Sequence, residues 1–451
     1  MTSSTMSMYV PSHADRTPAD AAAHTPQTSS RNKSGYVLRV RDAGRRYFLP
    51  NIAISLTHRS LYVLLVRMVC MINHVDAAEA TSMVERLLAV TDTMTGRINQ
   101  EMRELARLAN RLPGGAAVLA QVEPGDAWPR LDAWPDFARR FRGFVERHGH
   151  REFDFDAYHP TWIDAPRVVF EQIIGLARTA DIDTDQGERI REARADMARV
   201  EHQVLAATPR ELRALVGEVI RLLRSYTALD DLEHYQTTRL SLPFRRGLRE
   251  LGCRLLGDGL LARSDDIYFC PVAIFEHAIA SGDFASVTQA VAACRASYER
   301  ALERTPEWEL GVANCVDPDR RTLQGLGGSA GAAEAAVHLV RGPEDFAEFP
   351  EGAILVARTT SPAWTPLFYR CAGVITESGG PLSHGAVTAR EIGIPAVMSV
   401  RHAMHTLATG DRVRIDGTRG LVQWCGRPQR ASLQACPQRR LRGAESDGLT
   451  K

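Results

Sequence analysis

The sequence predicts a multidomain protein in which a mainly α-helical central domain is followed by an α/β domain. Its 451 residues are enough for two or three domains of about 150 residues each. In the earlier part of the chain apolar residues recur at helical spacing, as in residues 83–90. Beyond about residue 335, short apolar runs bounded by glycine replace that pattern, and such runs are typical of buried strands.

Composition narrows the classes of function. The net charge is +1, so no overall field favours nucleic acid or a membrane surface. Lysine occurs only at Lys33 and Lys451, so the sequence contains no Gly-Lys-Ser/Thr phosphate loop. The eight cysteines form no Cys-x-x-Cys pair, and scattered thiols suit a reducing compartment. We therefore predict a cytoplasmic protein with no nucleic-acid partner, no membrane partner and no bound metal.

The pattern along the chain predicts four segments. Residues 1–35 are rich in Ser, Thr, Ala and Pro and predict a disordered tail without the apolar core of a signal peptide. Residues 36–315 predict the helical domain, residues 320–425 the α/β domain and residues 426–451 a loose polar tail. The apolar run from Leu61 to Ile72 is too short for a membrane span and contains Arg67, so it predicts a buried helix.

Within the helical domain, one cluster of basic side chains attracts attention. A predicted helix ends near Gly149, and His148, His150 and Arg151 lie close together there. They are suited to an anionic ligand, but cations are also favoured at any helix C-terminus, so a solvated helix end explains them equally. Arg239, farther along, has the same two interpretations. Two histidines near carboxylates are only a weak signal for a metal site.

In the α/β domain, apolar runs at 335–340, 352–357 and 372–375 predict strands. The glycine-rich string 325–331 predicts a linker that enters the first of them, because a dinucleotide loop would need a preceding strand. Thr360 and Ser361 precede Pro362, which predicts a capped helix start.

The last of these strands leads into the most informative stretch of the sequence. Gly379 and Gly380 allow a tight turn, and Ser383 can cap the helix that follows. His384 is therefore predicted at a helix N-terminus, where free backbone N–H groups and the helix dipole bind anions. A neutral histidine in that place can attack a phosphoryl group and carry it as phosphohistidine. A solvated histidine in an ordinary turn would also fit these few residues alone.

The whole string resembles the phosphohistidine loop of the phosphoenolpyruvate-utilising enzymes, a family that includes phosphoenolpyruvate synthase and rifampicin phosphotransferase. The residues that match the family pattern are Gly379, Gly380, Ser383, His384, Ala386, Ala389, Arg390, Glu391, Gly393, Ile394, Pro395, Ala396 and Val397. The resemblance implies that the α/β domain is a swivelling domain of β/β/α type. The Gly-His-Arg of 149–151 is similar to a segment of the family's central domain.

The resemblance implies a role for each site residue. His384 would be the catalytic, phosphorylated residue. The phosphate would be held by Gly379, Gly380, Ser383, Gly385, Arg390 and Thr360. Arg390 has two further interpretations, as an anchor of the loop or as an ion-pair partner of Glu391 or another acid. His150, Arg151 and Arg239 would contact a small-molecule acceptor.

The family's ATP-binding and pyruvate-binding modules have no counterpart that we recognise in this sequence. The resemblance therefore implies a phosphotransferase component that binds no cofactor itself and receives its phosphoryl group from ATP and Mg²⁺ through an ATP-grasp partner on a separate chain. Two alternatives stay open. One is a non-catalytic phosphocarrier or regulatory protein, and the other is an enzyme of secondary metabolism that activates its substrate for ligation.

Overall fold

The computed structural model describes residues 26–122, 130–153, 156–178, 185–302, 321–346 and 348–426. Its helices are α1 (Pro26–Asn73), α2 (Ala77–Leu88), α3 (Met94–Asn110), α4 (Ala116–Leu119), α5 (Pro135–His148), α6 (Pro166–Arg178), α7 (Asp185–Ala207), α8 (Arg213–Gly257), α9 (Val272–Ser281), α10 (Ala285–Leu302), α11 (Thr365–Phe368), α12 (His384–Ile392) and α13 (Ala403–Thr406). Its strands are β1 (Thr322–Gln324), β2 (Leu326–Ser329), β3 (Ala332–Val340), β4 (Ile354–Ala357), β5 (Gly373–Thr376), β6 (Ala396–Met398), β7 (Arg412–Asp416) and β8 (Leu421–Trp424). The helical region followed by an α/β domain is the predicted fold class.

The chain divides into two compact units, one made of residues 1–45 and 243–304 and the other of residues 46–242 and 305–451. The first unit has its own apolar core, built from α9, α10 and the end of α8. In it, Asp266 accepts a hydrogen bond from the backbone N–H of Arg263 at 2.9 Å and so caps a short helical turn. The second unit contains every predicted site residue.

Local chemistry explains where the helices of the second unit begin. Asp76 caps α2 by accepting a hydrogen bond from the N–H of Glu79, and Thr93 caps α3 in the same way through the N–H of Gly96. Pro135 occupies the first turn of α5, where no N–H is needed. α5 buries Phe141 and Phe144 on one face, as the spacing of its aromatic residues predicts.

The second unit's α/β domain is one mixed eight-stranded sheet in the order β1-β8-β7-β3-β4-β5-β6-β2. The four central strands β3, β4, β5 and β6 are parallel, and the outer pairs are antiparallel. β4 shows why both faces are apolar: Ile354 and Val356 belong to one core cluster, and Leu355 and Ala357 belong to another.

The second of these clusters joins the α/β domain to the helical part of the same unit. It contains Trp364 and Phe368 of the α/β domain together with Phe141 of α5 and Phe170 of α6. Polar contacts cross the same boundary, since the indole N–H of Trp364 donates to the backbone oxygen of Phe153 at 3.2 Å. The α/β domain is therefore packed on the helices through a shared core.

Two sequence-based expectations about local structure are wrong. The string 325–331 contains strand β2, which pairs antiparallel with β6, and is not a linker. Its glycines serve close packing, because a methyl on Gly325 would lie 2.4 Å from the backbone oxygen of Met398. Helix α1 begins at Pro26, so the predicted tail is helical from that residue, while residues 1–25 and most of the tail 426–451 lie outside the described residues. The domain boundaries themselves stay a prediction.

Part of α1 is apolar enough to ask whether it spans a membrane. Among the helices of the described ranges, Arg39–Asn73 passes that test by length and composition. Leu65 and Val69 are fully buried against α2, α7 and α8, whereas Leu64 and Met71 on the opposite face are exposed. The predicted buried helix is thus buried along one face only.

Candidate active site around His384

The loop before α12 is shaped by two small residues. Gly379 has φ +103°, a conformation that a side chain would strain, and a methyl there would lie 3.0 Å from Ser383 Oγ. Ser383 caps α12, because its hydroxyl accepts a hydrogen bond from the N–H of Ala386 at 3.4 Å and donates one to the backbone oxygen of Gly380 at 2.8 Å. The helix ends at Gly393, whose φ of +80° is left-handed. His384 is therefore the first residue of α12, as predicted.

Arg390 holds this loop. Its two terminal nitrogens each donate at 2.6 Å, one to the backbone oxygen of Gly328 and one to that of Pro381. These contacts make Arg390 an anchor of the loop, and its phosphate contact stays a prediction. Its Nη1 also lies 4.0 Å from Oε1 of Glu85, an ion pair with another acid, whereas the carboxylate of Glu391 accepts from the hydroxyl of Thr93 at 2.6 Å.

Thr360 and Gly385 lie side by side. A methyl on Gly385 would be 2.6 Å from Thr360 Oγ1, so the hydroxyl lies directly beside the first turn of α12. Ser361 has a structural role, since its oxygen accepts a hydrogen bond from the N–H of Ala363 at 3.3 Å and caps the next turn. Of the two hydroxyl residues singled out in the sequence, Thr360 is the one beside the N-terminus of α12.

The side chain of His384 faces α8, which the sequence did not connect with it. Nδ1 of His384 is 3.9 Å from Oδ1 of Asp231, and the His384 ring lies with its centroid 4.6 Å from that of His234. About 25% of the His384 side chain is exposed. Asp231 and His234 are three residues apart on one helix, so they share a face, but nothing in the sequence brings that face to His384.

Asp231 is held by the start of α3. The backbone N–H of Thr95 donates to Asp231 Oδ2 at 2.9 Å, and the Thr95 hydroxyl donates to Oδ1 at 2.6 Å. Arg151 donates in turn to Thr95 Oγ1 at 3.2 Å. Arg151 is 5% exposed, and its other terminal nitrogen, Nη1, is buried without a hydrogen-bond partner. A buried guanidinium with an unused donor near His384 is suited to an incoming anion.

A second buried pair lies on the same side of His384. Thr227 donates its hydroxyl to the backbone oxygen of Leu223 at 2.9 Å, so it accepts from His58 Nε2 at 3.0 Å. His58 Nδ1 lies 3.3 Å from Asp230 Oδ2, so the His58 ring lies between a hydroxyl and a carboxylate. Burial would raise the pKa of Asp230, but the hydrogen bonds from His58 and Ser55 lower it on balance.

These charges set the protonation of the two facing histidines. Burial lowers the pKa of His384, Arg151 and His58 lower it further, and the carboxylates of Asp231 and Asp230 oppose them. Burial also lowers the pKa of His234 well below its ordinary value, assisted by His384 and Arg151. Both imidazoles are therefore neutral at pH 7, the form in which a ring nitrogen is nucleophilic or can accept a proton.

The three predicted acceptor residues gather around Tyr235. The ring of His150 lies edge-on to that of Tyr235 with centroids 4.5 Å apart, and the guanidinium carbon of Arg239 is 6.0 Å from the Tyr235 ring. Burial, with Arg239 and Arg151, lowers the pKa of His150 to about 3. Of the three, Arg151 also acts on His384, and its contact with Thr95 links it to Asp231.

Within the part of the chain that the structure describes, no group of three or more His, Cys, Asp or Glu side chains is placed to hold a metal ion. Sequence reasoning missed Asp231, His234, Thr95 and His58. The one available signal was the acid pair followed by a histidine at helical spacing in 230–234.

Comparisons with known proteins match this architecture in two places. Residues 349–420 match the family model described as PEP-utilising enzyme, mobile domain. Residues 47–231 match the model described as rifampicin phosphotransferase fourth domain. The two matches cover the loop that carries His384 and the helices from α2 into α8.

Individual relatives agree with both models. A rifampicin phosphotransferase from Streptomyces sp. is 28% identical over 352 residues, which is 74% of this chain and 40% of the relative. An uncharacterized phosphotransferase, YvkC, from Bacillus subtilis is 26% identical over 73% of this chain and 43% of its own length. A probable phosphoenolpyruvate synthase from Pyrococcus abyssi is 43% identical over 100 residues, 22% of this chain and 12% of the relative.

The chain thus spans about 40% of the length of the rifampicin phosphotransferases that it matches. The sequence motif, the loop geometry and both family models point to the same assignment. In this chain a region similar to the fourth domain of rifampicin phosphotransferase thus precedes a region that matches the mobile domain of the PEP-utilising enzymes.

Proposed function

We propose that this chain carries a phosphoryl group on His384 and passes it to a hydroxyl group of a small-molecule acceptor held by α3, α5 and α8. One observation carries the proposal. His384 lies at the N-terminus of α12 and faces Asp231 and His234 across a buried polar site. Free N–H groups at the helix start bind a phosphoryl group, and a neutral imidazole supplies the nucleophile.

The position of Asp231 supports a division of labour between the two ring nitrogens of His384. Asp231 lies beside Nδ1 and favours a proton there, which leaves Nε2 to take the phosphoryl group. A phosphorus–nitrogen bond forms at Nε2 as the donor's phosphorus–oxygen bond breaks. In the second step the acceptor oxygen bonds to phosphorus, the bond to Nε2 breaks, and the acceptor proton passes to neutral His234.

Arg151 has the chemistry to stabilise the transferring group. Its buried Nη1 has no partner, and a charged donor in a dry site interacts strongly with phosphoryl oxygens. Thr360 and the loop glycines 379 and 380 complete the phosphate site in this proposal. Transfer of this kind depends on positioning and charge more than on covalent help.

The donor in this proposal is ATP, with Mg²⁺, bound by an ATP-grasp protein on a separate chain. The relatives named rifampicin phosphotransferase are much longer than the part that this chain matches. Lysine occurs only at positions 33 and 451, so residues 46–426 contain no lysine to hold nucleotide phosphates. The α/β domain would move between that partner and the acceptor site.

The first test needs no partner, because phosphoramidate phosphorylates reactive histidines directly. We expect acid-labile phosphate on the wild-type chain and none on His384→Ala. The matched control is His405→Ala, which removes an exposed histidine of the same domain and should label like the wild type. Equal labelling of the wild type and His384→Ala would overturn the assignment of His384.

The second test addresses the ATP-grasp partner. Host lysate is supplied with purified chain and with ATP labelled at either the β or the γ phosphate. By analogy with the family we expect β label on the wild type and no label on His384→Ala. If phosphoramidate labels His384 but no lysate fraction does, the assignment of His384 as the phosphorylated residue is retained and the partner proposal is wrong.

A phosphocarrier that turns over no acceptor is favoured by one specific observation. His150 and Arg151 are each only 5% exposed, so two of the three predicted acceptor residues are covered in this arrangement. The two functions differ in the fate of the phosphoryl group. An enzyme hands it to small hydroxyl compounds at a rate that Arg151→Met lowers, whereas a carrier gives it only to another protein.

A further inference from the structure

The contact between α12 and the helices below it contains two buried carboxyl groups. One belongs to Glu391 on α12, and the other to Glu85 on α2. Thr93, the cap of α3, donates its hydroxyl to Glu391 Oε1 at 2.6 Å. Leu382, two residues before α12, packs against the apolar cluster of α1, α2, α7 and α8. These contacts hold the α/β domain on the helices beside His384.

Only one of the two carboxyl oxygens of Glu391 has a hydrogen-bond partner in this contact. Its Oε2 atom is buried and has no hydrogen-bond partner. Asp231 on α8 repels a negative charge there, and the guanidinium groups of Arg103 on α3 and Arg390 on α12 attract one. Burial is the largest influence and raises the pKa of Glu391 to about 7, with Asp231 adding to it and the Thr93 hydrogen bond opposing it.

Glu85 is in a similar position. Its Oε1 atom is buried without a hydrogen-bond partner, although Arg390 Nη1 lies 4.0 Å away. Arg390 cannot turn toward it freely, because both of its terminal nitrogens bind backbone oxygens of the α/β domain. Tyr62 on α1 is the other titratable neighbour. Burial raises the pKa of Glu85 to about 7, and the charge of Arg390 only partly offsets it.

Another polar atom of the same contact lacks a partner too, namely Nη1 of Arg103 on α3, whose charge acts on Glu391. An unpaired buried polar group costs about 1–3 kcal/mol compared with the same group in water. A contact of this composition gains less from staying closed than the apolar core around it, which suits two parts that separate and return.

We propose that Glu85 and Glu391 form a protonation-controlled clasp, closed when both carboxyl groups are neutral and released when they ionise. A buried carboxylate without a full set of partners is strongly disfavoured. Release of the α/β domain returns both groups to water, where ionisation is easy. The clasp would therefore regulate how long His384 stays against α8, and it needs neither ATP nor a partner to act.

The linkage between proton binding and closing gives the direction of the pH effect. Each carboxyl has a pKa of about 7 in the closed state against an ordinary value of 4.5, so closing takes up protons between those values. The equilibrium constant for closing therefore does not depend on these carboxyl groups below pH 4.5, and it falls as pH rises from 4.5 through about 7. His384 and His234 act the other way, because their lowered pKa values disfavour closing below about pH 6.5. A histidine returned to water is still half protonated at pH 6.5, so from pH 6.5 to 8 the two histidines together favour closing by up to about fourfold, against the fall caused by the carboxyl groups.

Over that range the closing equilibrium should fall about fourfold for each carboxyl and about 14-fold for both. Hydrogen exchange of the full chain measures this through the backbone amides of 93–99 and 383–392, after correction for the intrinsic effect of pH. We expect wild-type protection to fall about 14-fold relative to the Glu85→Gln/Glu391→Gln variant, because the histidines contribute equally to both. Protection of the variant itself should not fall, since its amides cannot ionise.

The matched control is Glu334→Gln, which neutralises a half-exposed glutamate of β3 that pairs with Arg412. It should follow the wild type. Thermal melts of all variants at pH 6.5 establish that they fold, and the single variants Glu85→Gln and Glu391→Gln should each keep about half of the logarithmic change. The proposal is overturned if protection of the wild type does not fall relative to that of the double variant as pH rises. Neither result bears on phosphorylation of His384.

Discussion

Adding a single methyl group beside His384 gives a direct test of how the start of α12 is packed. In Gly385→Ala the new carbon would lie 2.6 Å from Thr360 Oγ1 and 3.2 Å from Met398 Cε. Thr360 is buried and β-branched, so rotating it only exchanges one clash for another. Overpacking of this kind costs about 1–3 kcal/mol. We expect a lower melting temperature and slower labelling of His384 by phosphoramidate.

A double-mutant cycle assigns the cause. Thr360→Ala removes the clashing oxygen, so Gly385→Ala should destabilise a Thr360→Ala background much less than the wild type, with an interaction energy of about 1–2 kcal/mol. Gly380→Ala is the matched control, because a methyl there meets nothing within 4 Å and its backbone is not left-handed. Additive effects of the two changes, or an unchanged melting temperature in Gly385→Ala, would refute the packing argument.

Two further changes probe the supports of the site. Arg390→Met removes charged hydrogen bonds to the backbone oxygens of Gly328 and Pro381. Thermal melts should therefore show a loss of about 2–3 kcal/mol of stability, and labelling of His384 by phosphoramidate should slow. An unaltered melting temperature would contradict the role of Arg390 as an anchor of the loop. Asp196 forms a two-pronged ion pair with Arg86, whose hydrogen bonds are the main cause that lowers the Asp196 pKa to about 2. The contribution of this ion pair to the free energy of unfolding is present above the ordinary pKa of 3.8 and is lost as pH falls toward 2. Asp196→Asn should therefore cost about 1 kcal/mol of stability at pH 7, allowing for solvent screening, and progressively less below pH 4. A cost that does not depend on pH would exclude the ion pair as its source.

The sequence was informative wherever the determinants are local. The turn at Gly379, the cap at Ser383 and the helix stop at Gly393 are each fixed by backbone geometry within a few residues, and all three are confirmed. The strand before them was predicted as 372–375 and is Gly373–Thr376. Short-range chemistry therefore located the candidate nucleophile and the element that presents it.

What the sequence could not supply is the other half of the site. Asp231 and His234 lie about 150 residues before His384, and only the packing of the α/β domain on the helices brings them together. The same limit applies to the anchoring role of Arg390, because its acceptors are backbone oxygens, which no side-chain pattern reveals. The prediction of a linker at 325–331 was wrong for a related reason, because the glycines of β2 make room for a neighbouring strand rather than for a turn.

The two short strands β1 and β2 have a consequence for how the α/β domain is assembled. Only Gly325 separates them, yet β1 pairs with β8 and β2 pairs with β6, at opposite ends of the strand order. β1 therefore cannot pair until β8, about 100 residues later in the chain, is available, and the sheet is incomplete until then. During synthesis the edge of β7 stays open until Trp424 has emerged. A chain ended at residue 420, where the family match stops, would leave that edge unpaired and free to join another molecule.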